Sequence, residues 1–244
     1  MRYLCKVAYK GTAYQGWQKQ FDAKTIQGTI EETLSQFFNQ PISIYASGRT
    51  DTGVHAKGQT FHFDLENKNL DKDRFLYSIN QMLPDDIFIF EVNAVDDDFH
   101  ARYSAKGKEY HYLISCKEKD VFDFETKYNC LLNFNHDLFS KTLTYFVGKH
   151  NFQNFTSKEE DENGFIRDIF SIECLDDNNG NIKVILKGNG FMRYMIRYII
   201  GTALAVAMNK ISLEEIETLL DSSKRNIVSY KAPAEGLYLI NVAY

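Results

Sequence analysis

The chain is poor in cysteine, in basic charge and in long apolar runs, and each shortage excludes something. The four cysteines, Cys5, Cys116, Cys130 and Cys174, lie far apart and none forms a CxxC pair. Neither a cysteine zinc site nor a thioredoxin-like redox motif is available, so they read as reduced, mostly buried thiols. Lys and Arg number 28 against 33 Asp and Glu, for a net charge of −5. Phosphate contacts need Lys and Arg, so this average weighs against a nucleic-acid partner. It leaves room for a local basic cleft, because the acidic runs Asp96-Asp97-Asp98, Glu159-Glu160-Asp161-Glu162 and Asp176-Asp177 look peripheral. The most apolar run, 196 to 208, contains Arg197 and is too short to span a bilayer. Arg2-Tyr3-Leu4-Cys5 already reads as a strand rather than a signal peptide. A soluble cytoplasmic protein is expected, with no membrane partner. No Walker loop or GxSxG is present, and the six histidines show no metal spacing. Gly188-Asn189-Gly190 half-matches a dinucleotide fingerprint, but Arg193 stands where the third glycine belongs. No cofactor and no metal are expected.

What is present is a substantial core. The apolar fraction is 44% and aromatics make up 14%, which argues against disorder. Residues 2 to 9 alternate as a strand. Thr25 caps a helix through Ile26, Ile30, Thr33, Leu34 and Phe37, stopped by Pro41. Ile42-Ser43-Ile44-Tyr45 and residues 59 to 65 read as strands, Leu70-Asp71 opens a helix carrying Phe75, Leu76, Ile79 and Met82, and residues 87 to 92 make another strand. This β-α-β-β-α-β order suits a ferredoxin-like split βαβ unit. A polar, basic connection, 99 to 108, marks a boundary between residues 1–104 and 105–244. Beyond it come a strand at 109 to 114, a helix over 138 to 147 capped by Asn135 or Asp137, and a hairpin of 166 to 175 with 181 to 187 around Asp177-Asn178-Asn179-Gly180. A long helix over 191 to 208, a helix led by Ser212 and a closing strand at 237 to 243 follow. The expected fold is α+β: two ferredoxin-like halves forming a mainly antiparallel sheet, helices on one face, and a cleft between the halves.

Three features carry chemistry. Between two strands lies Ala46-Ser47-Gly48-Arg49-Thr50-Asp51-Thr52-Gly53-Val54-His55-Ala56. Its glycines allow a sharp bend that would present Arg49 and Asp51 at a strand end, although Asp and Thr beside Gly are also ordinary turn formers. Arg193 and Arg197, four apart, would share a helix face, as a solvated basic edge or as an anion site. Tyr110 and Tyr112 alternate on one strand and face the same side, as core residues or as a base platform.

The stretch Gly48-Arg49-Thr50-Asp51-Thr52-Gly53-Val54-His55-Ala56, followed by Gly58-Gln59, resembles the catalytic motif of the TruA family of tRNA pseudouridine synthases, departing only at Thr52, where the family has alanine. Tyr14-Gln15-Gly16-Trp17-Gln18-Lys19-Gln20, Phe99-His100-Ala101-Arg102-Tyr103-Ser104-Ala105 with Lys108 to Tyr112, Gly190 to Arg197, and Ala234-Glu235-Gly236-Leu237-Tyr238 are similar too. The resemblance implies that Asp51, Arg197 and Tyr110 are the catalytic residues: a carboxylate, its paired cation, and the tyrosine stacked on the target base. It implies that Arg49, Tyr110, Gly48, His55, Gln59 and Arg102 bind substrate, while Arg193 matches no fixed family position and Tyr112 is structural. The substrate would be the tRNA anticodon stem-loop, at about positions 38 to 40, recognised by shape, and the protein a homodimer that isomerises uridine to pseudouridine without a cofactor. The alternative is a non-catalytic RNA-binding module on the same fold.

Overall fold

The structure, a computed structural model, describes residues 1–66, 69–161, 164–177, 179–222 and 224–244. It divides into two compact units, Met1–Lys106 with Tyr238–Tyr244, and Gly107–Leu237.

In the first unit the order is β1 (Arg2–Tyr9), α1 (Ile26–Phe38), β2 (Tyr45–Ala46), β3 (His55–Asp64), α2 (Lys72–Met82) and β4 (Ile87–Val95). β1 lies between β3 and β4, antiparallel to both, and β2 pairs antiparallel with β3. This is the strand arrangement of a split βαβ unit. It arises because alternate residues of β1, Tyr3, Cys5, Val7 and Tyr9, are buried, a period of two that gives one face to the core. The helices supply the facing stripe. Thr25 caps α1 by accepting from the Gly28 N–H, and Asp71 caps α2 by accepting from Arg74. Ile26, Ile30 and Leu34 of α1 and Phe75 and Ile79 of α2 are buried. Phe38 stacks on Phe75 and tilts against Phe63 of β3.

The strand expected at 42 to 45 is shorter than the alternation suggests. Ile42 and Ile44 are buried, but their N–H groups donate to Ser35 Oγ and Glu31 Oε1 of α1. Helix side chains take the bonds a ladder would need, so only Tyr45 and Ala46 pair. The closing strand β10 (Leu237–Ala243) runs parallel to β3, with Tyr238 opposite His55 and Leu239 opposite Ala56. Residues from Tyr238 onward thus belong to the first unit.

The second unit contains β5 (Gly107–Ser115), β6 (Tyr128–Asn129), α3 (His136–Thr144), β7 (Gly148–Asn151), β8 (Ile166–Asp176), β9 (Asn181–Gly188), α4 (Met195–Ala207) and α5 (Leu213–Asp221). β9 pairs antiparallel with β5 and β8, and β7 adds to β8. Asn135, not Asp137, caps α3, and Ser212 with Glu215 forms a capping box on α5. In the turn joining β8 to β9, Asp177 Oδ1 accepts from the N–H groups of Asn179 and Asn181. Asn178 of that turn, like Glu162 of the acidic run, lies outside the described residues.

α4 starts later than the apolar spacing predicts. Tyr194 has φ 63°, a left-handed conformation, and the carbonyl of Arg193 accepts from Thr156 Oγ1 at 3.0 Å. Arg193 therefore precedes the helix, and helical spacing does not relate it to Arg197. Among the described residues no helix is long and apolar enough to cross a membrane.

Candidate active site

The Asp51 loop is braced from three sides within the first unit. At its entry, Ser47 N–H donates to the Thr60 carbonyl at 2.9 Å, and Ser47 Oγ donates to Gln59 Oε1 at 2.6 Å. Gln59 Nε2 donates to the Gly48 carbonyl at 2.9 Å. Gln59 is 0% exposed, so both ends of its amide are spent on loop and strand. At the centre, the Tyr9 and Thr50 hydroxyls bond at 2.8 Å. Burial pushes the Tyr9 phenol well above its ordinary range and keeps it neutral. Trp17 N–H donates to the Thr50 carbonyl at 3.0 Å. At the exit, Val54 N–H donates to the Asp51 carbonyl at 3.1 Å. Gly53, at φ 78°, supplies the positive angle that this tight turn requires at its third position. Asp51 thus stands at the first position of a hydrogen-bonded turn, half-buried, while Arg49 and Thr52 are exposed.

His55 begins β3. Its Nδ1 accepts from Gly11 N–H at 3.0 Å, and its ring stacks on Tyr238 with centroids 4.7 Å apart. At 1% exposure it is enclosed. Arg102 is exposed, its guanidinium 5.5 Å from the Tyr103 ring. Its segment is tied down where the Ala101 N–H donates to His62 Nδ1 at 3.1 Å.

In the second unit, Tyr110 lies on β5 opposite Leu186 of β9. Its ring meets Phe191 edge-on at 5.2 Å, and it is 8% exposed. Arg197, half-buried in the first turn of α4, donates from Nε to the Ala232 carbonyl at 2.8 Å. Ala232 N–H donates back to the Arg197 carbonyl at 2.9 Å. The strap carrying Ala232 comes this close because α4 has Gly201 there: a Cβ would sit 2.6 Å from the Tyr230 carbonyl oxygen.

A family model described as tRNA pseudouridine synthase matches residues 6–104 and 143–244. The chain belongs to the tRNA pseudouridine synthase family. It is 39% identical over 239 residues to tRNA pseudouridine synthase A of Acetivibrio thermocellus, covering 98% of this chain and 97% of that one. It is 37% identical over 244 residues to tRNA pseudouridine synthase A of Anoxybacillus flavithermus, covering 100% and 98%. A further 37% identical relative, from Ruminiclostridium cellulolyticum, carries the same name and is covered over 97% of its length.

For a member of the tRNA pseudouridine synthase family, the part of this site that sequence reasoning left without a role is the clamp from Tyr9 to Trp17. A Cβ on Gly11 would lie 2.0 Å from the Val54 carbonyl oxygen, and one on Gly16 2.8 Å from that of Thr50. Gly16 also has φ 81°. Two glycines just ahead of the only tryptophan in a polar loop were the available signal. They mark close approach of two backbones.

Proposed function

We propose that Asp51 is the reacting carboxylate of a uridine-to-pseudouridine isomerisation in the tRNA anticodon stem-loop, at about positions 38 to 40. The family gives the reaction class. The N-glycosidic bond breaks, the uracil turns, C5 bonds to the ribose carbon and loses its proton, and N1 takes up a proton in its place, so atoms balance without oxidant or energy source. The observation that carries the assignment is the bracing of the loop. The Ser47 and Thr50 hydroxyls and the loop backbone bond to Gln59, Tyr9, Thr60 and Trp17, which holds the segment carrying Arg49 and Asp51 on a fixed support. Fixed positioning is the main way such a site accelerates a reaction.

In this reading Arg197 is the cation that keeps the carboxylate charged. Tyr110 is the surface for the flipped base, which must leave its stack to react. Arg49 fills the vacated space or meets a phosphate, and Arg102 contacts the RNA backbone. Gly48, His55 and Gln59 act by holding the loop rather than by touching RNA, given their internal bonds. The protein works in the cytoplasm as a homodimer with one tRNA lying across both subunits.

Mapping pseudouridine in tRNA from cells with and without the protein tests this. Loss confined to about positions 38 to 40 is expected. An unchanged map, with purified protein that binds tRNA but forms no pseudouridine, would favour a non-catalytic RNA-binding module.

A further inference from the structure

We propose that Arg193, Lys231 and the ring of Tyr194 form a subsite for one phosphodiester of the RNA, beside the nucleotide being modified. The inference rests on the tRNA reading above. Three cations surround one tyrosine ring: Lys231 Nζ at 4.4 Å from the centroid, the Arg193 guanidinium at 4.8 Å and that of Arg197 at 5.2 Å. Arg193 also donates to the Tyr194 hydroxyl at 3.1 Å. Like charges gathered this closely repel one another, and on a chain of net charge −5 such a group is against the average. Arg193 and Lys231 are both exposed. Among the described residues neither is held in an ion pair; the Arg193 side chain contacts Tyr194, and that of Lys231 contacts Tyr194 and the neighbouring Tyr198 ring. The electron-rich ring face offsets part of the repulsion and fixes the spacing of the cations.

Tyr194 occupies this place at a cost, since its φ of 63° is one L-residues resist. Strain of this kind gathers where the surroundings enforce it for function. Here the enforcing contacts are visible. Thr156 Oγ1 holds the Arg193 carbonyl, and Gly201 admits the strap carrying Lys231. A phosphodiester suits the set. The Arg193 fork can take two of its oxygens while Lys231 acts as a point charge, and Arg197 on the same ring links the subsite to the reacting nucleotide. A base could not stack here, because cations already crowd the ring.

The test uses a stem-loop RNA in which each phosphate flanking the target uridine is replaced, one at a time, by a neutral methylphosphonate. KM, kcat and the salt dependence of binding are measured for wild type, Lys231→Met, Arg193→Gln and the rescue variant Lys231→Arg. Lys231→Met should raise KM about fivefold, with a smaller effect on kcat. It should also flatten the slope of log affinity against log salt by about 0.7 to 0.9. Lys231→Arg should restore both. One methylphosphonate should weaken wild type but add nothing in Lys231→Met. Unchanged slopes, or methylphosphonate effects that add to the mutation at every position, would overturn the subsite while wild-type turnover stands. Wild-type protein forming no pseudouridine on unmodified RNA would instead overturn the tRNA reading itself.

Discussion

His62 shows how a single buried residue ties the site to pH. It is 1% exposed, and its Nδ1 must be unprotonated to accept from the Ala101 N–H. Burial, with Arg2 and His100 nearby, lowers its pKa to about 4; His100 is lowered too, by burial and by Arg2 and Arg102. The unfolded chain therefore takes up a proton near pH 6.5 while the folded chain refuses it until about pH 4. Stability from this residue is full above pH 6.5, falls as pH drops through that window, and levels off below it, by roughly 1 to 3 kcal/mol in all. Urea midpoints measured from pH 4 to 7 should show that acid limb, and His62→Gln, whose carbonyl can still accept from Ala101, should flatten it. A variant with the same acid limb as wild type would show that His62 is not the cause.

At the level of elements, the Tyr9–Trp17 clamp packs against the backbone that carries Asp51. Gly16→Ala places a methyl against the Thr50 carbonyl and demands a left-handed alanine. It should cost about 1 to 2 kcal/mol of stability. The backbone that must yield is that of Thr50 and Asp51, so kcat should fall about tenfold or more. A variant that loses stability but keeps kcat would show that the clamp does not position Asp51. The clamp also marks the limit of what the sequence discloses. Helix starts at Thr25 and Ser212 were legible, and that at Asn135 as one of two candidates, because a cap is a local bond, three residues long. The β4–β1–β3 order followed from period-two burial and the β-α-β-β-α-β element order. The loop that carries Asp51 was legible through its glycines and its place between two strands. The contacts bracing it were not, because Tyr9 reaches Thr50 across 41 positions and no local pattern encodes that. The same cause hid the end of β2, where α1 side chains capture the N–H groups of Ile42 and Ile44. It also hid the late start of α4, where Thr156 fixes the carbonyl of Arg193 across 37 positions.

For the whole molecule, the question is how an acidic protein holds a polyanion. The candidates for phosphate contacts among its basic residues are Arg49, Lys57, Arg102, Lys106, Lys108, Arg167, Arg193 and Arg197. Arg167 leaves that set, since it is 14% exposed and paired with Asp161 at 2.9 Å. Lys57 lies 5.6 Å from the Tyr238 ring, in the neighbourhood of His55. If about four of the others neutralise phosphates, log affinity for tRNA should fall with log salt at a slope of about −3. Filter binding over a range of salt concentrations checks this. A flat response would mean that phosphates are not being neutralised.

The role of Asp51 is tested most directly by Asp51→Asn, which keeps the side-chain shape and removes the charge. The purified variant should bind tRNA within a few-fold of wild type and form no measurable pseudouridine, a loss on the scale of the removal of a reacting group, about 10⁴-fold or more. Pseudouridine formed by Asp51→Asn at a near-normal rate would contradict the assignment.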